Sequence, residues 1–291
     1  MFGSIADLVS AAEESGEPIS ELMIREECAG SGRTRDQVWS RMDRDLDVML
    51  AAVKRGSEGR GVFSKTGLSG GEAALLDKYR RERTTLSGDT MVRALVAAMA
   101  TNEVNAAMGV ICATPTAGSS GTLPGVITAL RERIDLSREG QVRCLFTAGA
   151  FGLVTANNAM IAGATGGCQA EVGSASAMAA AAAVEAAGGD PQTCAEAFAM
   201  AMSNLLGLVC DPVAGLVEVP CVKRNAIGTA NALICADIAL SGGTNKIPAD
   251  QVVEAMKSIG EAMPASLRET GVGGLAGTPV GSEFRKTIFG D

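Results

Sequence analysis

Three of the eight cysteines in this chain stand in surroundings unlike the rest: Cys168 in GATGGCQAE, Cys210 in LVCDPVAG and Cys221 in EVPCVKRN. Their glycine, proline and polar neighbours mark bends, which is where metal ligands project, rather than the smooth apolar faces on which unreactive cysteines pack. Cys112 in GVICA, Cys144 in VRCLF, Cys194 and Cys235 on alanine-rich stretches and Cys28 in a charged segment read as packing residues. Three thiolates form an incomplete ligand set, so an iron–sulfur cluster held by them would keep one iron open to polarise a substrate. Zinc is a variant of the same idea. Spacing alone leaves inert burial as an equal alternative, because free cysteine is among the most buried residue types.

Local context adds detail. Cys168 follows Gly166 and Gly167 and precedes a helix with Glu171 in its first turn. The unpaired N–H groups and partial positive charge of a helix start stabilise a thiolate or an anionic cluster. Between Thr114 and Thr122 five hydroxyls alternate with Gly118 and Gly121. Such a loop can turn successive hydroxyls and N–H groups toward one anion, and a small carboxylate fits it. It is no P-loop, since the lysine after the last glycine is missing. Its bland alternative is a polar helix connection. Lys65 and Lys223 sit in glycine-rich or proline-adjacent bends, where desolvation would lower a lysine toward the range of a general base; a solvated surface lysine is the ordinary reading of each. GVGGLA, Gly271 to Ala276, matches a dinucleotide fingerprint only formally, because no βαβ unit surrounds it, and reads as a flexible or tightly turned loop.

Composition narrows the rest. Histidine is absent, which removes the commonest general base, Ser/His and Cys/His pairs and histidine metal sites. A formal charge of −8 argues against nucleic acid. The N-terminus lacks the basic and apolar regions of a signal peptide, so a cytoplasmic protein with reduced cysteines is expected. The chain is 47% hydrophobic but only 3% aromatic, so its core must be built from small and aliphatic side chains. Its apolar stretches, Ala175 to Ala187 and Ala195 to Val209 among them, are too short or interrupted to span a bilayer and read as buried helices.

Strand signals are scarce. The fold class expected is all-α, with central near-buried alanine-rich helices surrounded by amphipathic ones and the cysteine site on loops at helix ends. The pattern predicts a charged helical segment from Ile5 to about Lys54, an irregular glycine-rich connection over Gly56 to Gly71, and helices from there to about Arg83, over Thr90 to Val110, from Val126 and over Phe146 to Gly163. The alanine run then ends at Gly188 and Gly189, and Asp190-Pro191 opens another helix. Asn102, Glu103 and Asn105 interrupt an otherwise apolar helix and need partners or a job. We read residues 1–291 as one domain, with 1–90 an outer helical layer and glycine-rich connection and 91–291 the core that carries the cysteines.

NEVNAAMG, ATPTAGSSGTLPGV, NNAMIAGATGGCQAEVGSASAMAA and CDPVAGLVEVPCVKRNA together resemble the α chain of the iron–sulfur-dependent L-serine dehydratases. The resemblance covers nearly the whole chain and is strongest from Asn102 to Asn231. It implies that Cys168, Cys210 and Cys221 hold a [4Fe–4S] cluster and that L-serine is dehydrated to pyruvate and ammonia without pyridoxal phosphate. It further implies that the open iron acts as a Lewis acid on the serine hydroxyl, with loss of colour and activity in air. On that reading Thr116, Ser119, Ser120, Gly121 and Thr122 hold the substrate carboxylate and Asn105 contacts the amino group. The base is then Lys65, a serine alkoxide at Ser119 or Ser120, or a residue of another chain. Single-chain members carry an additional α/β domain, and some carry a capping C-terminal cysteine. Here no cysteine follows Cys235, so on this resemblance the chain does not cap its own cluster, and the missing domain implies a separate β chain. The alternatives are a related lyase such as a cysteine desulfidase, or a cluster-holding subunit inactive without its partner.

Overall fold

The computed structural model describes residues 2–290. Among them are thirteen α-helices and no β-strand: α1 (Ile5–Ser15), α2 (Ile19–Ser31), α3 (Arg35–Ser57), α4 (Glu72–Glu82), α5 (Asp89–Ala106), α6 (Thr122–Arg133), α7 (Arg138–Asn158), α8 (Gly163–Gly166), α9 (Ser174–Ala186), α10 (Pro191–Ser203), α11 (Cys221–Leu240), α12 (Ala249–Ala262) and α13 (Pro279–Phe289). The all-α expectation holds. No helix among the described residues is long and apolar enough to cross a membrane.

The helix ends follow local chemistry. Ser4, Thr34, Ser137, Asp190 and Thr278 each accept a backbone N–H from the first turn of the helix they cap, and Thr34 completes a capping box with Gln37. Asp190-Pro191 opens α10 as expected, with proline in the first turn where its missing N–H does no harm. Two expectations need correcting. The helix expected from Phe146 starts at Arg138, because Ser137 caps it and its polar first turn hides the start. The apolar run Ala195–Val209 is not one helix: α10 stops at Ser203, and Asn204 to Leu208 form tight turns.

The centre of the molecule is α9, whose residues Ala175 to Val184 are all buried. α7, α10 and α11 pack around it, and α6 lies against it as well. An alanine contributes a single methyl, worth roughly 0.8 kcal/mol when buried, so such a core depends on how closely the backbones approach. Larger side chains fill the outer shell, where the Phe151 and Phe198 rings stack with centroids 5.1 Å apart. Ile5, Leu8, Ile19, Leu22 and Leu46 from α1 to α3 join the same apolar cluster.

Close approach is most extreme along α5. A Cβ built on Gly121 would lie 2.1 Å from the Ala98 carbonyl oxygen, one on Gly125 2.8 Å from the Ala94 oxygen, and one on Gly56 2.3 Å from the Ala100 oxygen. α5 is thus a rail whose carbonyls α3 and α6 touch at glycines. The three polar residues that interrupt its apolar run have partners. Asn102 donates to the Ala117 and Gly118 carbonyls, Asn105 donates to Ala117, and Glu103 accepts from the N–H groups of Glu72 and Ala73 at 2.8 and 3.2 Å, capping α4.

Glu103 is buried, and desolvation raises its carboxyl to about 7 against the opposing pull of those backbone donors. Between pH 4.5 and about 7 the folded chain therefore keeps a proton that the unfolded chain has released, so stability falls as pH rises through that window. Urea-unfolding midpoints of the wild type should decline across it, and Glu103→Gln, which keeps the acceptor without the titration, should show a much flatter profile.

Candidate active site

The three singled-out cysteines come from three elements that meet at one end of α9. Cys168 lies at the head of a π-helical turn, Gln169–Gly173, that runs without a break into α9. Gly167, just before it, has φ +76, and a Cβ there would meet the Met263 sulfur at 2.7 Å, so the sharp entry into the turn requires glycine. Cys210 sits in an isolated bridge to Arg268, its N–H donating to the Leu267 carbonyl at 2.8 Å. Cys221 opens α11 directly after Pro220. All three are buried. Of the other five, Cys144, Cys194 and Cys235 are buried along helices, and Cys28 and Cys112 are half-buried.

Electrostatics tie the three together. Burial pushes Cys210 far above the ordinary thiol range, and the neighbouring Cys168 and Glu171 push the same way. Cys221 is raised by burial and then by Cys168. Cys168 is raised to about 11 by burial, and the Arg224 guanidinium opposes the rise. Three thiolates this close and this dry would repel one another, so the site suits a cationic guest. Among the described residues no group of three or more His, Cys, Asp or Glu side chains is placed to hold a metal ion.

Five side chains outside the initial selection stitch this site together. Asn225, fully buried one turn after Cys221, accepts from the Gly121 N–H at 2.8 Å and donates to the Gly118 carbonyl at 2.7 Å and the Cys221 carbonyl at 2.9 Å. It locks the hydroxyl loop to the start of α11. Glu171 accepts from the Thr116 hydroxyl at 2.6 Å and lies 3.9 Å from the Cys210 sulfur, bridging the same loop to the second cysteine. Burial raises the Glu171 carboxyl above the usual range, with the Thr116 bond acting against it. Arg224 donates to the Val209 carbonyl at 2.7 Å and pairs with Asp211 at 2.9 Å, so it braces both sides of Cys210. Asp211 accepts the Leu275 N–H at 2.8 Å, making the GVGGLA segment a tight turn tied to the cysteine bend. Glu218 accepts from the Thr66 and Ser69 hydroxyls, both at 2.7 Å.

The hydroxyl loop is largely engaged in its own construction. Ser119 donates to the Thr114 carbonyl at 3.0 Å, Thr116 is held by Glu171, the Gly121 N–H goes to Asn225, and the Thr122 hydroxyl reaches Asn225 at 3.4 Å. Ser120 differs: its hydroxyl is buried and has no protein partner, as are the Thr114 hydroxyl and the Asn102 side-chain oxygen nearby. Each such orphan costs about 1–3 kcal/mol unless something else satisfies it. Lys65 is exposed. Lys223 is exposed too and pairs with Glu72 at 2.9 Å.

The family model for the serine dehydratase alpha chain matches residues 14–276. The chain is 57% identical over 290 residues to a probable L-serine dehydratase alpha chain from Bacillus subtilis, covering 100% of this chain and 96% of that protein. It is 41% identical to the L-serine dehydratase alpha chain of Peptoniphilus asaccharolyticus, with 99% of each covered. It is 36% identical to L-serine dehydratase 2 of Escherichia coli, where the match takes in 94% of this chain but 61% of the longer protein. With the match running through every element that builds the cysteine site, the chain belongs to the serine dehydratase alpha chain family.

Proposed function

We propose that this chain is the cluster-bearing catalytic subunit of an iron–sulfur L-serine dehydratase that works with a second, β chain. The observation that carries the reading is the stitching of the hydroxyl loop to the cysteine bends by Asn225 and Glu171, with the Ser120 hydroxyl left buried and uncommitted. The alpha-chain names of the relatives, and the extra length of the Escherichia coli relative, support a partner chain. A multinuclear cluster is preferred over one zinc ion on the resemblance of the cysteine motifs, GATGGCQAE and CDPVAGLVEVPCVKRNA, to those of the iron–sulfur-dependent enzymes.

Bound through Cys168, Cys210 and Cys221, a [4Fe–4S] cluster would supply Lewis acidity at its open iron toward the hydroxyl of serine. The remaining work belongs to the chain. Ser120 donates to the substrate carboxylate, and the amino end of α6 behind it adds the favourable end of its dipole. Arg224 offsets negative charge beside Cys168, and Glu171 keeps the loop in register with Cys210. Removal of the Cα proton needs a base, and with no histidine in this chain it is Lys65, a serine alkoxide at Ser119 or Ser120, or a residue of the β chain. Loss of that proton and of the hydroxyl leaves an aminoacrylate, which becomes pyruvate and ammonia by tautomerisation and hydrolysis.

Anaerobic purification with the β chain tests the reading: we expect about four irons with matching sulfide per α chain, the content of one cubane, and pyruvate from L-serine. A colourless, fully active protein would overturn it. Ser120→Ala should keep the iron and lower kcat/KM by about 10-fold or more, the effect of losing one hydrogen bond to a charged group.

A further inference from the structure

The glycine-rich segment between α3 and α4 is held in a way no ordinary connection requires. Residues 62–71 fold back on themselves through the Phe63–Gly70 bridge and the Ser64 N–H to Ser69 carbonyl bond at 3.0 Å. Inside this loop the Ser64 and Thr66 hydroxyls are 2.9 Å apart. Two buried carboxylates then fasten it from outside. Glu103 on the α5 rail grips its far end at Glu72 and Ala73. Glu218, 4% exposed, takes the Thr66 hydroxyl on one oxygen and the Ser69 hydroxyl on the other, both at 2.7 Å. No ion pair to Glu218 is present among the described residues. Burying a carboxylate that is met only by hydroxyls is unfavourable, so a simple surface connection gives no reason for it.

Position supplies the reason. Glu218 lies three residues before Cys221, and its own carbonyl accepts the Val222 N–H at 3.0 Å, so its backbone belongs to the first turn of α11. The Val213 N–H donates to the Val219 carbonyl at 2.8 Å, which ties the same stretch back toward Cys210. The carboxylate therefore transmits the placement of the cysteine bends to the 62–71 loop, on which Lys65, next to the clasped Thr66, is exposed.

Resting on the function proposed above, we propose that the 62–71 loop is a wall of the working site and that Glu218 is a positioning residue, clasping that wall to the bend carrying Cys221. The residue acts through the loop and does not touch substrate. Glu218→Ala should leave iron content unchanged, should raise amide hydrogen exchange across 62–71 with little change elsewhere, and should lower kcat/KM for L-serine by about 100-fold, the scale of an ångström-level misplacement. Glu218→Gln, which still accepts one hydroxyl and donates to the other, should stay within about 5-fold of wild type in the assembled enzyme. Thr66→Val with Ser69→Ala removes the clasp from the other side and should reproduce the Glu218→Ala defect; combining all three changes should add nothing further. This pair also keeps the idea testable if Glu218→Ala does not fold. Unchanged kinetics in either clasp variant despite increased exchange would overturn the proposal, as would unchanged exchange at 62–71. The exchange readout needs no turnover, so an enzyme inactive on serine would sink the functional reading without touching the clasp.

Discussion

Serine in place of Cys168, Cys210 or Cys221 should give a folded chain that keeps no iron–sulfur chromophore and turns over no serine, while alanine at Cys144 or Cys235 should leave both intact. The contrast follows from where the sulfurs sit. The first three are buried at bends beside one another, where charge from each raises the next. A guest that binds them as thiolates must displace their protons, so loading should also release acid. A serine hydroxyl holds its proton far more tightly and is a poor iron ligand. Cys144 and Cys235 have only packing surroundings: Cys144 points at the Ala182 carbonyl within the core and Cys235 lies beside Asn204 and Asn231. Alanine there removes one buried heavy atom and should lower stability by about 1–2 kcal/mol. Iron analysis, visible spectra and unfolding midpoints on the five variants decide it. Equal loss of iron in all five would mean that these sulfurs are not separable by environment.

Gly121→Ala should be the most damaging single methyl in the molecule. Its new Cβ would lie 2.1 Å from the Ala98 carbonyl oxygen and 3.1 Å from the Asn225 oxygen. Neither neighbour can step aside, because one is helix backbone on the α5 rail and the other is the side chain that locks the hydroxyl loop to Cys221. α6 must move off α5 or Asn225 must let go, so both stability and site are hit. We expect a loss of about 3 kcal/mol or more, the upper end for an overpacked position, together with loss of serine turnover. Gly149→Ala is the control. It lies inside α7 with nothing within 4 Å of a new Cβ, and should stabilise the fold by about 0.5–1 kcal/mol through helix propensity. Urea denaturation of the pair separates crowding from the general effect of glycine replacement; equal outcomes would refute the close-approach argument.

What could be read from the chain was mostly what neighbours along it determine. Asp190-Pro191 and Gly188 mark helix ends in one place each, and the alanine run could only be a buried helix. The distinction between bend and face that separated the cysteines is likewise local. The misplaced start of α7 shows the limit, since Arg138 to Arg143 form a polar first turn that joins the helix only because Ser137 caps it. Asn225 and Glu218 were out of reach for another reason. Their partners lie 107 and 152 residues away, and nothing in KRN or VEV announces which loop they will meet. The hydroxyls of the 114–122 loop gave a signal whose meaning was split: they read as a substrate cradle, and three of the five turn out to build the loop, with Thr114 and Ser120 left over. Asn102, Glu103 and Asn105 are the counterexample, polar residues in an apolar helix that did advertise their tertiary work.

The π turn at Gln169–Gly173 sets a register. Relative to an ordinary helix it carries one residue more per hydrogen-bonded turn, and α9 behind it is packed on every side and cannot rotate to absorb a change. A lineage that trimmed this turn by one residue would keep its core and swing Cys168 about 100° around the helix axis, the angle of one α-helical step. Length variation in this family should therefore avoid these five positions and collect in the exposed connections, so that the alanine helix works as a gauge block against which the first cysteine is measured.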